Sequence, residues 1–339
     1  MAAKGLTLVT LADVAKSKNK QIGKVAEVLV QENPMLNDIP YMEMNEGTIH
    51  KEDIRSALPS VYYRKANQPI PASKSTIEER SFTASHFESK SQMDEAVAKR
   101  GGTDRIAYNR WNQAQGHIQA IALEHANLVI YGSPEVSNRK SAGFMDIYST
   151  LSASEETSKQ LVDCGGSGSD NTSILLVCWG ERSVFGVYPT GSQAGLKRTD
   201  RSAGGKLVQI AGTDENGNAG HFWGFEENFE VDHGLVVKDF RQASRACNID
   251  VSALQAGSGV DLIEAMIEML YKIHTLTNGT PVFYVNRTIE AHLDKQSLSK
   301  VGAAGGLSYK DYQGQQILHF RGVPIRRSDA LLNSEAAVT

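Results

Sequence analysis

The chain has 339 residues, 40% of them hydrophobic and 22% charged, with a formal net charge of −4. That is the profile of a globular protein with room for two lobes or one large α/β body, and its charge argues against a chain built to grip nucleic acid. The three cysteines, Cys164, Cys178 and Cys247, form no C-x-x-C pair, which argues against a disulfide framework or a zinc site and fits a reducing compartment. No apolar run approaches a membrane span, and the N-terminus has no apolar core of a secretory signal.

Residues 10–31 are predicted as an amphipathic helix. Leu11, Val14, Ile22, Val25 and Leu29 recur at helical spacing opposite Lys16, Lys18, Lys20 and Lys24, and the helix stops before Pro34. Residues 33–40 then read as an extended strap. The apolar teeth of helix and strap together, with Leu29 and Leu36 as the test cases, would be buried by a neighbouring subunit. Strands are predicted at 58–65 and 76–88, joined by the proline-stiffened linker Ala66–Ser75 into a long hairpin too polar to have its own core. Thr103 and Asp104 can cap the next helix, and Gly132 and Pro134 end it. Between them Ile106, Ala107, Trp111, Ala114, Ile118, Ile121, His125 and Leu128 trace one face of a helix about 40 Å long at ~1.5 Å per residue.

Gly165–Asp170 reads as a flexible loop. The apolar runs Ile174–Trp179 and Val184–Tyr188 flank a polar break at Gly180–Ser183 and predict a β-hairpin. A Gly-rich segment and the basic cluster Lys197, Arg198 and Arg201 follow. Asp214–Asn218 is a turn, and 221–250 is a long strand region. Residues 260–275 form an amphipathic helix with Leu262, Ile263, Met266, Ile267, Leu270 and Ile273 inward. Residues 281–296 read as a strand and then a helix, and Ile317–Ile325 as a final strand.

Each motif with chemical potential has a plainer reading. Gly165–Gly168 lack the Gly-Lys-Ser/Thr of a phosphate loop, and Ser169 stands where a nucleophile elbow needs glycine. Asp214, Asn216 and Asn218 alternate as in a calcium loop, but the closing glutamate is missing. Ser17–Lys20 and Ser297–Lys300 match S-x-x-K without its companion motifs. His117 and His125 share a helix eight residues apart with no carboxylate at ligand spacing, and His221 and His233 flank the acidic stretch Glu226–Glu230, where a metal site is the lesser reading. The sequence therefore offers no catalytic, cofactor-binding or metal-ligating residue, and the expectation is a protein that is not an enzyme and uses no cofactor. Arg64, Lys65 and Lys74, like Lys197, Arg198 and Arg201, are expected to meet acidic residues of a neighbouring subunit, such as Glu78, Glu79 or Glu226.

Several stretches together resemble the major capsid proteins of tailed bacteriophages, the Hong Kong 97-like shell fold. They are Glu27-Val-Leu-Val, Asn33-Pro-Met-Leu-Asn-Asp, Leu58-Pro-Ser-Val-Tyr-Tyr-Arg with Asn67 and Ser73–Thr76, and Gly165-Gly with Asp170–Ile174. Further along come Trp179-Gly-Glu, Tyr188-Pro-Thr-Gly, Ala194-Gly-Leu, Asn248-Ile-Asp, Pro281-Val-Phe-Tyr-Val-Asn-Arg, Gly322-Val-Pro-Ile-Arg-Arg and Asp329-Ala-Leu. The resemblance covers nearly the whole chain and is greatest to short-tailed (podovirus) phages of the Bordetella and Burkholderia type.

The resemblance implies an α+β fold with an N-terminal arm (1–45), an extended E-loop hairpin (46–95), a P-domain with its spine helix at 103–131 (96–255), and an A-domain with the C-terminal segment (256–339). It implies a coat protein that assembles with copies of itself, as hexamers and pentamers, into an icosahedral shell. That shell would enclose double-stranded DNA without sequence-specific binding, assembled in the host cytoplasm with portal and cement proteins and without a membrane. A hairpin at 174–188 ahead of the strand–helix unit at 281–293 implies a rearranged strand order. The start of the chain at the arm implies a separate scaffolding protein. The alternative within the same fold is the shell of an encapsulin-type nanocompartment.

Overall fold

A computed structural model of the chain describes residues 34–99, 103, 106–213, 218–299, 307–312 and 315–339. The predicted helix at 10–31, Leu29 within it, and the Ser17–Lys20 motif lie outside the described residues. In chain order the elements are α1 (Met35–Asp38), β1 (Tyr41–Glu43), β2 (Ile49–Ala57), β3 (Thr76–Thr83), β4 (Ser85–Asp94), α2 (Glu95–Ala98), α3 (Ile106–Tyr131) and α4 (Phe144–Ile147). There follow β5 (Leu161–Asp163), β6 (Asn171–Trp179), β7 (Val184–Tyr188), β8 (Lys197–Asp200), β9 (Val208–Thr213), β10 (Ala219–Val237) and β11 (Ala243–Asp250). Last come α5 (Val251–Ala256), α6 (Leu262–Lys272), β12 (Thr280–Val285), α7 (Arg287–Ser299), β13 (Leu307–Tyr312), β14 (Gln315–Phe320) and β15 (Val323–Arg327).

Thirteen strands among the described residues join one sheet, whose main path runs β13-β14-β15-β12-β6-β7-β10-β4. Strand β6 is buried at every position, as expected of a strand covered on both faces. Leu175, Val177 and Trp179 point into one core with Ala114, Ile118, Ile121, Val129 and Ile130 of α3. Ile174 and Leu176 point into a second core with Leu262, Ile263, Met266 and Met269 of α6 and Ile289 and Leu293 of α7. Strand β12 repeats the division, Val282 and Tyr284 on one side and Phe283 and Val285 on the other. Because β6 and β11 pair with each other and β12 pairs β6, the sheet runs without a break across residue 255.

The long helix forms as predicted, with the eight-residue apolar series turned inward to increasing depth: Ala114, Ile118, Ile121, His125 and Leu128 are buried, while Ala107 at its start is exposed. The amphipathic helix at 260–275 is α6, started by Asp261, whose carboxylate accepts from the amides of Ile263 and Glu264.

Other expectations are corrected. Residues 58–65 are not a strand; the strand that pairs with β3 is β2, at 49–57. The runs 174–179 and 184–188 do not form a hairpin. They meet only at Trp179 and Val184, after which β6 pairs β11 and β12 while β7 pairs β10 and β1. Trp179–Val184 is a crossing between halves of the sheet, so the rearrangement inferred from a 174–188 hairpin loses its basis. The final strand is two: Arg321 (φ 48°) and Gly322 (φ 87°) make a two-residue turn with both φ positive, joining β14 to β15. Gly165–Asp170 is pinned rather than loose. The Gly166 amide donates to the Asn248 carbonyl at 2.8 Å, and a Cβ on Gly166 would stand 2.6 Å from that oxygen.

The strap at 33–40 is also different from expectation. Met35–Asp38 is a short helix, and Met35, Leu36, Ile39 and Tyr41 are buried in the first core of their own subunit. Leu36 is 1% exposed. Asp38 ties the segment to the sheet: it accepts from the Tyr284 hydroxyl at 2.6 Å and pairs with Arg326 at 2.5 Å. Burial outweighs both partners and pushes the Asp38 carboxyl up to about 6.

Leu36→Asp should therefore cost the subunit its own fold. Loss of side-chain burial removes about 2–3 kcal/mol and the buried charge adds more. Circular dichroism of the variant should show loss of native structure, and a folded, assembly-deficient subunit would contradict the placement. Asp38 gives a pH prediction. Its folded pKa lies above its unfolded value, so its contribution is lost as pH rises through about 6 and grows as pH falls from 6 toward 3.8. In urea melts the stability of wild type relative to Asp38→Asn should improve from pH 8 to pH 5, by about 1.4 kcal/mol. A shift toward the variant would mean that the Arg326 pair dominates.

Candidate assembly surface

The hairpin β2–β3 is a separate two-stranded sheet with a fixed root and a bare tip. At the root, the Asn45 side chain donates to the Lys51 carbonyl at 2.7 Å and accepts from its amide at 2.9 Å. Lys51 pairs with Glu46 at 3.1 Å and Glu79 at 3.3 Å. Glu52 receives Lys238 at 2.7 Å and His50 at 3.2 Å, and the His50 ring sits edge-on to Phe185. These contacts fix the direction in which the hairpin leaves the body.

Residues 58–75 have no regular secondary structure, and nearly all are exposed. Val61 is 89% exposed and Tyr63 fully so, with Leu58, Tyr62 and Ile70 also in solvent. A turn at Lys65–Gln68, with Asn67 at φ 66°, and a hydrogen bond from Ser73 to the Ser60 carbonyl at 3.0 Å hold the two limbs together. Pro59, Pro69 and Pro71 stiffen them. The segment contains Arg64, Lys65 and Lys74 and no acidic residue; none of the three forms an ion pair among the described residues. A contiguous apolar, aromatic and cationic tip held away from the body is the signature of an interaction surface.

The second basic cluster faces inward instead. Strand β8 lies antiparallel to β10, so Lys197 pairs with Glu230 at 3.1 Å, Arg198 with Glu227 at 2.7 Å and Arg201 with Glu226 at 3.2 Å, all in the same chain. Arg110 of α3 also reaches Glu227, and Asp200 at 2.8 Å. Glu79 likewise has its partner, Lys51, in the same chain. The intersubunit role expected for Lys197, Arg198 and Arg201 is corrected: they clamp β8 and the residue after it to the long strand, as Arg110 clamps α3.

The remaining candidates do not converge. His117 accepts or donates at 2.7 Å with Ser89, a contact the sequence did not announce, but no carboxylate hydrogen-bonds His117 among the described residues. His125 and His233 meet around Tyr41, far from exposed His221. Ser169 is exposed. Residues 214–217 and Lys300 lie outside the described residues. Among the described residues no three His, Cys, Asp or Glu side chains cluster to hold a metal. Burial pushes the Cys164 thiol up to about 12 and those of Cys178 and Cys247 to about 11, away from the thiolate a nucleophile needs. No helix among the described residues is long and apolar enough to cross a membrane.

An α+β body with a long helix packed on the sheet and a projecting hairpin defines the Hong Kong 97-like capsid fold. The family model for the major capsid protein GP7 matches residues 17–339. A chain from the near-atomic structure of bacteriophage epsilon15 is 30% identical, covers 100% of both chains and gives a TM-score of 0.69. A chain from the procapsid of bacteriophage JBD30 is 11% identical over 95% of this chain and 100% of its own, TM-score 0.47. One from the holo-SrpI encapsulin complex of Synechococcus elongatus is 11% identical over 74% of this chain and 93% of its own, TM-score 0.39. No curated protein matches the sequence. The chain belongs to the GP7 family of phage major capsid proteins.

Within the ladder on β10, burial separates strong pairs from weak ones. The Glu227 side chain is 4% exposed and holds two guanidinium groups, so Glu227→Ala should destabilise the subunit by about 3 kcal/mol. Lys197→Ala removes a half-exposed partner and should cost less than about 1 kcal/mol. Equal effects in denaturant melts would refute this ordering.

Proposed function

We propose that this capsid protein closes an icosahedral shell, as hexamers and pentamers of itself, by seating the hairpin tip of each subunit on an adjacent copy. The observation that carries the reading is the tip at 58–75, whose apolar side chains its own chain leaves in water. In this reading 46–95 is the E-loop, 1–45 the arm, 96–255 the P-domain with its spine helix, and 256–339 the A-domain with the C-terminal segment. The residue-255 division would be one of assembly role, since the two parts share a sheet.

The shell would form in the host cytoplasm with separate scaffolding, portal and cement proteins, in a short-tailed phage of the Bordetella and Burkholderia type. It would enclose double-stranded DNA without reading its sequence, consistent with a net charge of −4. The subunit would act without cofactor or metal and carry out no reaction; the raised thiol pKa values and the unsupported Ser89–His117 contact favour this.

The test is Val61→Ser combined with Tyr63→Ser. Both side chains lie in solvent in the isolated subunit, so folding by circular dichroism should match wild type. Losing the two contacts at every interface, at about 1.5–3 kcal/mol for each fully buried side chain, should leave unassembled subunits in sedimentation. Normal shells from the variant would remove the tip from the interface.

A further inference from the structure

We propose that Tyr41, His125 and His233 form an acid-sensitive latch that holds the segment 39–44, and with it the root of the hairpin, against α3 and β10. The three residues come from three elements: Tyr41 from β1, His125 from α3 and His233 from β10. The Tyr41 hydroxyl lies 3.0 Å from His125 Nε2 and 2.9 Å from His233 Nδ1. The two imidazoles stand with ring centroids 4.5 Å apart, and Phe87 of β4 packs edge-on to His125. All three residues are at most 3% exposed. The seat is built for the phenol: Gly186 lies beside it on β7, where a Cβ would come within 2.6 Å of the Tyr41 ring.

One hydroxyl between two ring nitrogens has a single consistent arrangement. It donates its proton to one imidazole and accepts an N–H from the other, so the ring that accepts must be unprotonated at that nitrogen. A proton taken from water by the accepting imidazole turns that nitrogen into a donor. The phenol then faces two N–H groups with nowhere to place its own proton, and a cation sits beside a second imidazole. His233 Nε2 already lacks a partner among the described residues, so the site has no spare acceptor for the added charge.

No anion stands by to stabilise it. On α3, Glu124 pairs with Lys140 and His117 contacts Ser89. On β10, Asp232 is turned to His86 and Ser192, and Glu230 to Lys197. On β4, Glu88 accepts from Asn228. On β1, Glu43 accepts from the Gly191 amide, and on α1 Asp38 pairs with Arg326. On β7, Tyr188 is partly exposed. Burial accordingly holds His125 down to about 3, and burial with the neighbouring His125 holds His233 well below its ordinary value; burial also raises Tyr41, which stays protonated.

The direction of the response follows. A histidine with a folded pKa below its unfolded value supports the closed state fully above about 6.5 and progressively less below it. With two such histidines, the open fraction rises by up to about 100-fold per pH unit below 6.5. Opening frees β1 from β7, where the Met44 amide donates to the Tyr188 carbonyl and the Gly186 amide to the Pro40 carbonyl. The hairpin begins at Ile49, so its root is released with it.

The experiment is hydrogen exchange by mass spectrometry on the full chain, corrected for intrinsic pH dependence, between pH 7 and pH 4.5. Protection of residues 39–44 should fall by 100-fold or more while that of 174–178 in β6 changes less than tenfold. In His125→Gln with His233→Gln, the pH dependence at 39–44 should flatten. Wild-type protection at 39–44 that is constant with pH, or that falls equally throughout the chain, would overturn the latch. So would a folded double variant with the wild-type pH profile; if the variant does not fold, the wild-type comparison of the two segments decides alone.

Discussion

The constraint on which this subunit depends is that its longest strand, β10, must be paired along its length. Nineteen residues of extended backbone expose a row of donors and acceptors that no single neighbour covers. The chain solves this in pieces: β9 at 219–224, β4 at 224–233, β8 at 227–230 and β7 at 234–237. Helix α3 then packs across β4 and β10. The carboxylates of Glu226, Glu227 and Glu230 gather the cations of β8 and α3 onto the same strand. The sheet thus reaches from the protruding β9–β10 end to the doubly covered strands β6 and β12 without a break.

That arrangement divides the chain into residues that stabilise the subunit and residues left for its neighbours. Segment 35–44 belongs to the first group, through Leu36, Asp38 and Tyr41. The hairpin tip belongs to the second. Its root is ordered by Asn45, Lys51 and Glu52, and its stiffness comes from prolines and a few local hydrogen bonds. A tip held out in this way loses less freedom on docking than a loose loop would.

Periodicity made the long helix and α6 legible, because each has one face buried and the other exposed, while the strand at 281–285 was legible as a short apolar run ahead of a helix. It failed where burial is two-sided or where pairing is long-range. The runs at 174–179 and 184–188 look like hairpin limbs, yet β6 is covered on both faces and its partners lie some seventy or more residues downstream. Leu36 reads as a tooth on a thin strap because the helix and sheet that bury it are distant in sequence. The tip resembles a strand in sequence because Val61, Tyr62 and Tyr63 favour strands, whereas Pro59, Pro69 and Pro71 keep 58–75 out of the ladder. The same composition is what makes it a candidate contact surface. The inward pairing of Lys197, Arg198 and Arg201 was not, since it depends on the register of β8 against β10.

The central claim is that segment 35–44 completes its own subunit's core while the hairpin tip is left for an adjacent copy. Electron cryomicroscopy of the assembled shell at side-chain resolution tests it most directly. The account predicts a body like that described, with Leu36 and Tyr41 in their own subunit's core, and Val61, Tyr62 and Tyr63 buried against an adjacent copy. A tip lying free in solvent, or Leu36 inserted into a neighbour, would contradict it.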